Sequence, residues 1–439
     1  MMDIIANPML VATVVMVVLC LLKVEVFFSI VASVFVCIFL SGANVNDSFW
    51  LFINGMGGNN EIVYGLLVMG MLGVVMQEIK MGEVLVPRIS RLIGNKVWLI
   101  PVFLCLMAVL SETVVLIYVT FVPIFIPPFI SLFNKYKVDR RMLVTVINAG
   151  MQIGYVCIPV GIGAVYMGIV QSAMADNGLD GVGLTQVAAA NLPILFALIL
   201  GVIAAIVIFR KPREYADTQV AVEAANQSDA PMPKMEAKHW LTLISAVIIV
   251  VVLFMTSNIP LSATCGVAFL ILCGVVRLNK LSESFTENIK TMAYGCFILM
   301  AAAGFGNGTR EIGQLDTLIA ALSNVLGGNK LIAAFFMLIV GLAVTMGIGT
   351  SFGTVPIVAT ILVPLGQSMG MSTAAIIMLV AAAGALGDSG SPASENTLVC
   401  TSVFNADGQH DHIRDTCIPA FLCVNIPLVL VCTVAACLI

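Results

Sequence analysis

The sequence predicts an all-α polytopic membrane protein with two inverted repeats, each made of five transmembrane helices and one re-entrant hairpin. Three observations support this fold class. The 439 residues are 60% hydrophobic and only 10% charged, whereas soluble domains carry about 25% charged residues. Polar stretches with glycine and proline interrupt several apolar segments. The two halves of the chain also present the same segments in the same order.

The first repeat covers residues 1–209. Transmembrane spans need about 17–25 mainly apolar residues, and the segments of suitable size are 8–22, 24–41, 61–77, 142–175 and 186–209. Residues 42–60 are predicted to form a polar loop. Residues 97–133 are too long for one span, too short for two, and flanked by basic residues on both sides. We expect this segment to form a re-entrant hairpin with its tip at 111–113.

The second repeat covers residues 239–439 and follows a polar stretch, 210–238, which is predicted to be a flexible cytoplasmic linker. Its predicted spans are 239–255, 261–276, 288–306, 372–405 and 415–439. Residues 331–369 are again the size of a hairpin, with a glycine- and hydroxyl-rich centre at 349–354. Both long spans, 142–175 and 372–405, contain a polar break and are predicted to be broken helices.

Matching positions in the two halves lie at a nearly constant offset. The pairs are Phe49 and Phe285 (236 residues apart), Gly94 and Gly328 (234), Pro128 and Pro364 (236), and Pro159 and Pro392 (233). Because five spans is an odd number, the second repeat must be inverted relative to the first. Inverted repeats with broken helices are typical of secondary transporters.

The basic residues give an independent indication of orientation. With the N- and C-termini outside, 18 of the 20 Lys and Arg residues fall on the inner side, and only Arg310 and Lys330 fall outside. This distribution follows the positive-inside rule. The sequence therefore predicts a multi-pass protein of the cytoplasmic (inner) membrane of a bacterium.

Four polar breaks are expected to meet near the middle of the bilayer. Irregular backbone at this depth is tolerated only where it is buried in protein or lines a cavity, and ionisable groups there are candidates for function. The candidate substrate-binding residues are Ser111, Glu112, Thr113, Gln152, Tyr155, Pro159, Gly161, Thr350, Ser351, Asp388, Ser391, Glu395 and Asn396. The oxygen atoms of Thr350, Thr354, Asp388 and Ser391 are candidate ligands for Na⁺.

Each candidate also has a structural interpretation. Glu112 could bind a proton or cation, or it could cap backbone amides at the first hairpin tip. For Asp388 and Glu395 a functional role is favoured over helix capping or exposure to the inner solvent. Tyr155 and Gln152 could contact substrate or simply pack between helices. The asparagines 148, 191 and 425 are interpreted as interhelical hydrogen-bond partners.

Two stretches of the second half, GTSFGTVPIVATILVPLG and GDSGSPASENTL, resemble the Na⁺/H⁺ antiporter (NhaC-like) family of the ion transporter superfamily. In the first half, KVDRRMLVTVINAG and YVCIPVGIG, which follow PIFIPP, resemble the branch named for amino-acid permeases, with histidine among the suggested substrates. The resemblance implies that Thr350, Ser351, Thr354, Asp388, Ser391, Pro392 and Glu395 occupy the site positions of the family.

The resemblance also implies an elevator mechanism, in which the hairpins and broken helices move together against a scaffold, and a homodimer. One departure concerns the second break. Ser389 and Gly390 follow the Gly-Asp pair, and Glu395 stands where antiporters of the family often have Asp. This departure argues against pure Na⁺/H⁺ exchange.

The leading hypothesis is a secondary active transporter that couples a Na⁺ or H⁺ gradient to uptake of an amino acid, with histidine as the candidate substrate. The alternatives are a Na⁺/H⁺ antiporter and, less favoured, a passive channel. The sequence contains no nucleophile–base pair, metal cluster or phosphate-binding loop that would predict an enzyme. It predicts no cofactor other than the coupling ion, and its partners are expected to be a small-molecule substrate and lipid, not nucleic acid.

Overall fold

A computed structural model describes the chain from Ala6 to Ile439, apart from residues 23, 82–83, 85–98, 114–121, 123–125, 127–129, 131–132, 135, 217–233, 257, 278, 280, 313–314, 349, 393 and 406. The described residues contain helices and turns and no strand, which confirms the all-helical prediction. The second arm of the predicted hairpin 97–133 and most of the linker lie outside the described residues.

Nineteen α-helices are described in this part of the chain. They are α1 (Pro8–Leu21), α2 (Val26–Ser41), α3 (Val45–Gly55), α4 (Asn60–Glu78), α5 (Leu99–Thr113), α6 (Arg140–Gln152), α7 (Ile162–Asp176), α8 (Leu184–Ala190), α9 (Leu192–Ile208), α10 (Ala237–Thr256), α11 (Ile259–Leu272), α12 (Leu281–Ile312), α13 (Leu315–Leu326), α14 (Lys330–Ile348), α15 (Ser351–Ser368), α16 (Thr373–Ala385), α17 (Glu395–Phe404), α18 (Ile418–Ala420) and α19 (Ile426–Ala435). Side chains that accept backbone amides start several of them, as Asn7 does for α1 and Ser372 for α16.

The helices pack as two bundles, and each bundle takes helices from both halves of the sequence. In the first bundle, α1–α4 pack with α10–α12. In the second, α5–α9 pack with α14–α19. Contacts of α12 with α15 and of α1 with α14 join the two bundles. Small residues allow close approach, since a Cβ atom on Gly304 of α12 would lie 2.6 Å from the carbonyl oxygen of Phe52 on α3.

Two described helical stretches, Ser351–Ser368 and His412–Ala435, are long and apolar enough to cross a membrane, and three bent helix pairs raise this number to five. Eight further apolar helices in the described chain have 10–17 residues. Large apolar side chains are exposed along α9, among them Leu192, Phe196 and Ile203. These faces suit contact with lipid, although the predicted count of ten spans remains a prediction.

Helices α14 and α15 form an antiparallel pair. Lys330, at the start of α14, donates to the carbonyl oxygen of Gly370, just after α15, over 2.5 Å. The start of α14 and the end of α15 therefore lie together, and the turn between the two helices is at the opposite end. The helices correspond to the predicted hairpin 331–369, and its relation to the membrane remains a prediction.

The structure differs from the sequence prediction in the polar segments. Residues 42–60 were predicted as a loop, but they form α3 and a 3₁₀ turn, Met56–Asn59. The cause is amphipathicity: Asn44 caps α3, Asp47 is exposed in its first turn, and Phe52 is buried. Helix α12 likewise extends well beyond the predicted span 288–306 at both ends.

The predicted flexible linker begins with ordered residues. Arg213 forms an ion pair of 2.7 Å with Asp415, and Lys137 forms one of 2.6 Å with Glu214. The aromatic ring of Tyr215 lies 4.2 Å from the Arg140 guanidinium. Residues 210–216 therefore pack on the second bundle, because specific charge partners offset their polar composition.

Candidate functional site

Three oxygen atoms form a triangle where α15 meets the two broken helices, which are α6–α7 and α16–α17. The Tyr155 hydroxyl lies 2.8 Å from Asp388 Oδ2, the Ser351 hydroxyl lies 2.8 Å from the same oxygen, and the two hydroxyls are 2.8 Å apart. None of these side chains is more than 3% exposed. Sequence reasoning assigned the three residues to three different polar breaks, and the structure brings them together.

Two helix N-termini meet at the Asp388 carboxyl group. Ser351 is the first residue of α15. Ser394 is the N-cap of α17, and its hydroxyl donates to Asp388 Oδ1 over 3.0 Å. The Asn396 backbone amide donates to the Ser394 hydroxyl over 3.3 Å. Because the N-terminal end of a helix carries partial positive charge, both helices stabilise an anion at this position.

The triangle contains more contacts than the ionised form of the site has protons. Each hydroxyl supplies one proton, and an ionised carboxylate supplies none. Tyr155 and Ser351 therefore provide two protons for three oxygen–oxygen contacts, all at the usual distance of an O–H···O hydrogen bond. A proton on Asp388 completes the set, since each oxygen can then donate one bond and accept one.

A distorted turn holds Tyr155 in place. The residues Ile153–Cys157 form a π-helical turn, after which the helix is broken and bends by 56° before α7. The Asn191 amide donates to the Val156 carbonyl oxygen of this turn over 2.8 Å. The Tyr155 ring packs against Phe352, with centroids 6.0 Å apart. Helix turns of this type are frequent at functional sites.

Gln152 joins the two broken helices directly. Its side-chain amide donates to the Ala385 carbonyl oxygen, at the end of α16, over 2.7 Å. The same carbonyl oxygen also accepts from the Asp388 amide over 3.1 Å. Gln152 therefore adds a second hydrogen bond at the end of α16, and its contact with substrate remains a prediction.

Glu112 lies at the end of α5, beside the π-helical turn. It is 5% exposed, and a Cβ atom added to Gly154 would lie 2.7 Å from its Cβ. Its charge is close enough to interact with that of Asp388. The neighbouring hydroxyls are used within α5, where Ser111 donates to the Ala108 carbonyl and Thr113 donates to the Val109 carbonyl.

The remaining candidate Na⁺ ligands lie around the second hairpin. Thr354 donates to the Thr350 carbonyl oxygen over 2.7 Å, and Ser391 donates to the Met346 carbonyl oxygen over 3.0 Å. Their hydroxyl oxygens keep lone pairs for a cation, and the Na⁺ set remains a prediction. Within the described residues, no group of three or more His, Cys, Asp or Glu side chains could hold a metal ion.

The other candidates lie at the edges of the breaks. Glu395 is exposed in the first turn of α17, although its charge interacts with that of Asp388. Pro159 is half-buried between the π-helical turn and α7. Gly161 caps α7 with a φ of 63°, a left-handed conformation that glycine adopts without strain.

Two of the asparagines that were interpreted as interhelical hydrogen-bond partners form a related pair, and this relation was not recognised from the sequence. Asn191 supports the first break through Val156, and it is followed by Pro193. Asn425, followed by Pro427, lies against the second break, since a Cβ atom on Gly390 would be 2.7 Å from Asn425 Nδ2. The offset from Asn191 to Asn425 is 234 residues (425 minus 191), the same as the offset from Val156 to Gly390 (390 minus 156). This shared offset was the available signal.

The two members of the pair differ in their hydrogen bonds. Asn191 Nδ2 donates to the Val156 carbonyl. Asn425 is fully buried, and neither of its side-chain polar atoms has a hydrogen-bond partner among the described atoms. At the first break the asparagine amide therefore pairs with a backbone carbonyl, whereas the matching amide at the second break has no hydrogen-bond partner among the described atoms.

Two family matches cover most of the chain. Residues 181–433 match the family described as "Na+/H+ antiporter family", and residues 7–93 match the family described as "Na+-H+ antiporter family". The first match includes the second hairpin, the second broken helix and Asp388.

Curated relatives are similar to the chain over nearly its whole length. An uncharacterized membrane protein of Vibrio parahaemolyticus is 36% identical, over 98% of this chain and 99% of its own. A Bacillus subtilis protein named "Putative amino acid transporter YuiF" is 31% identical over the same shares of the two chains.

Two solved structures have a similar fold. The Neisseria gonorrhoeae MtrF structure, described as illuminating a class of antimetabolite efflux pumps, aligns with a TM-score of 0.62 and 12% identity, covering 90% of this chain and 84% of MtrF. The Alcanivorax borkumensis YdaH transporter aligns with a TM-score of 0.64 and 16% identity, covering 90% of this chain and 88% of YdaH. These likenesses support a transporter-like, membrane-helical fold. The family match over residues 181–433, which is more than half of the chain, shows that this chain belongs to the Na⁺/H⁺ antiporter family of membrane transporters.

Proposed function

We propose that this transporter couples the uptake of an amino acid to H⁺, and that Asp388 carries the coupling proton. The observation that carries the proposal is the triangle of 2.8 Å contacts among Tyr155, Ser351 and Asp388. Protonation of the carboxyl completes its hydrogen bonds. Loss of that proton leaves one contact without a hydrogen, so the ionised site must rearrange or accept a cation.

The amino-acid part of the proposal has separate support. YuiF, which shares 31% identity with nearly the full chain, bears the name of an amino acid transporter. Histidine remains a candidate within this class. The two-bundle packing, in which the hairpin and both broken helices share one bundle, supports an elevator movement of that bundle against α1–α4 and α10–α12.

The second candidate function is Na⁺/H⁺ antiport, which the family matches favour. In this case Na⁺ would replace the proton at Asp388. The hydroxyl and carbonyl oxygens around the second hairpin are hard ligands of the kind found at transporter Na⁺ sites. The same carboxyl group would then serve two ions in turn.

Reconstituted vesicles test the proposal. Each of the twenty labelled amino acids, histidine included, is offered to proteoliposomes under an inward H⁺ gradient, an inward Na⁺ gradient or no gradient. We expect uptake of at least one amino acid under the H⁺ gradient, and a fall of at least tenfold in Asp388→Asn. Asp180→Asn, which removes an exposed loop carboxylate, is the matched control and should transport normally.

Two outcomes would contradict the proposal. Gradient-driven uptake of no amino acid, together with Na⁺-induced proton movement, would favour the antiport function. Normal uptake by Asp388→Asn would remove Asp388 from the coupling step.

A further inference from the structure

A polar cavity lies between the two bundles. It is separate from the Asp388 cluster, which consists of Tyr155, Ser351, Asp388 and Ser394. Its volume is about 260 Å³. The lining residues used below are Asn54, Asp176, Asn177, Asn307, Arg310 and Thr360. The cavity takes α3 and α12 from one bundle and α7 and α15 from the other, so both bundles contribute to any ligand held there.

The cavity and the Asp388 cluster share one helix, α15. Thr360, on its floor, is buried and follows Ser351 by nine positions on α15. At 1.5 Å per residue, the floor is roughly 13 Å from the Ser351 hydroxyl along the helix. Asp176 and Arg310, at its mouth, are exposed. The mouth faces the end of the molecule where Gln367 donates to the Gly178 carbonyl, near the outer end of the second hairpin.

An acidic and a basic residue line this cavity side by side. The Arg310 guanidinium, on α12, hydrogen-bonds to the backbone carbonyl of Asp176, at the end of α7. The Asp176 carboxyl group and the Arg310 guanidinium both line the cavity. Arg310 is one of only two basic residues that the predicted topology places outside.

A buried amide provides a second, independent observation. Asn177 is 5% exposed, lines the cavity and donates from Nδ2 to the Ala173 carbonyl oxygen over 2.8 Å. Its Oδ1 atom has no hydrogen-bond partner among the described atoms. A buried amide oxygen without a partner costs free energy. The atom is buried at the wall of the cavity, so a ligand N–H group would provide the missing bond once the side chain turns towards the ligand.

We propose that this cavity binds an α-amino acid as a zwitterion before the substrate reaches the Asp388 cluster. The ligand carboxylate pairs with Arg310, whose planar guanidinium suits two parallel hydrogen bonds. The ligand ammonium group donates to the Asp176 carboxylate and to Asn177 Oδ1. The volume lies below the roughly 300 Å³ of the smallest pockets for drug-sized ligands, which fits one small solute.

This inference rests on the proposed amino-acid substrate. Equilibrium binding tests the cavity, whereas gradient-driven uptake tests the proposed function, so the failure of one can be distinguished from the failure of the other. Full-length protein in nanodiscs is tested with each of the twenty labelled amino acids singly. For an amino acid that binds, we expect Arg310→Gln and Asp176→Asn to raise the Kd at least tenfold. The control Lys330→Gln removes the other outer basic side chain, which does not line the cavity, and should change the Kd less than twofold. Asp388→Asn should keep the binding while losing gradient-driven uptake.

The opposite pattern would overturn the inference and leave the proposed function intact: binding retained in both cavity variants and lost in Asp388→Asn. Binding of no amino acid to the wild-type protein would also overturn it, and the vesicle assay would then decide the proposed function separately. Thermal unfolding of each variant shows that it is folded, and Asp176→Asn provides the test if Arg310→Gln does not fold.

Discussion

At the scale of single residues, the properties of the Asp388 cluster depend on the number of its hydrogen-bond donors and acceptors. Asp388 accepts from the hydroxyls of Tyr155, Ser351 and Ser394. Hydrogen bonds to a charged group contribute about 1.5–3 kcal/mol each. Both the protonated and the ionised carboxyl group therefore depend on these hydroxyls for their hydrogen bonds.

Removing one hydroxyl should slow transport without unfolding the protein. We expect Tyr155→Phe and Ser351→Ala each to reduce H⁺-driven uptake about 10- to 100-fold, which is the rate equivalent of one hydrogen bond to a charged group. Initial uptake rates in proteoliposomes provide the measurement. Ser402→Ala, which removes an exposed hydroxyl bonded within α17, is the control. Uptake at the wild-type rate in both cluster variants would show that the triangle has no part in transport.

His410, in the loop after α17, should make stability depend on pH. Burial lowers the pKa of its imidazole from 6.5 to about 4, despite the opposing charge of Asp415. The unfolded chain therefore binds a proton between pH 6.5 and 4 that the folded chain does not bind. The contribution of neutral His410 to the free energy of unfolding is fully present above pH 6.5 and is lost as the pH falls towards 4.

The expected contribution of His410 is of the order of 1–3 kcal/mol. Thermal unfolding of wild-type protein and His410→Gln, compared from pH 7.5 to 4.5, measures it. The wild-type protein should lose more stability than the variant over this range. Equal losses would show that the pKa of His410 is the same in the folded and unfolded protein.

At the scale of helices, the breaks are supported by side chains from neighbouring elements. Asn191, at the junction of α8 and α9, closes the first break, and Gln152 adds a hydrogen bond at the end of α16. The polar breaks themselves could be predicted because glycine and proline interrupt apolar sequence. The supporting contacts could not, because they depend on which helices pack together.

The two matched asparagines should differ in their contribution to stability. Asn191→Ala leaves the Val156 carbonyl unpaired and should cost about 1–3 kcal/mol. Asn425→Ala removes a buried amide that makes no described hydrogen bond, so we expect little loss or a small gain. Unfolding temperatures of the two variants in the same detergent test this difference. A larger loss for Asn425→Ala would mean that its amide has a partner.

Other elements show where hydropathy alone fails. Helix α3 carries Asn46 and Asp47 beside Phe52, so its average composition resembles a loop. Helix α12 contains Glu283 and Arg310, which lie beyond the two ends of the predicted span, and the span was therefore predicted to be shorter. The amphipathic helix α3 keeps its polar residues on one side, whereas α12 is 32 residues long and carries these two charges near its ends. A window average distinguishes neither arrangement from a loop.

At the scale of the whole molecule, the two halves of the sequence are interleaved. Each bundle contains helices from both halves, and residues more than 230 positions apart share the Asp388 cluster, as Tyr155 and Asp388 do. The constant offset between the halves indicated that equivalent breaks exist. Their convergence followed from the expected inverted arrangement, whereas the identity of each contact required the structure.

A buried ion pair also joins the halves at the linker end. Arg140, in α6, forms a 2.5 Å ion pair with Asp407, and both side chains are no more than 2% exposed. Removing one partner of a buried pair costs about 3–5 kcal/mol. We expect Asp407→Asn to lower the free energy of unfolding by this amount, measured by denaturant unfolding. Glu214→Gln breaks an exposed pair with Lys137 and should cause no measurable change, and a similar small effect in Asp407→Asn would contradict the prediction.

The central claim is that Asp388 binds and releases a proton as ligands bind. Purified protein in weakly buffered solution with a pH dye tests it most directly. At an alkaline starting pH, where the carboxyl group is ionised, addition of a transported amino acid should cause proton uptake. At an acidic starting pH, where it is protonated, addition of Na⁺ should cause proton release if the protein is an antiporter. In either case the change should approach one proton per chain and disappear in Asp388→Asn. An equal proton change in Asp388→Asn, or none in active wild-type protein, would contradict the claim.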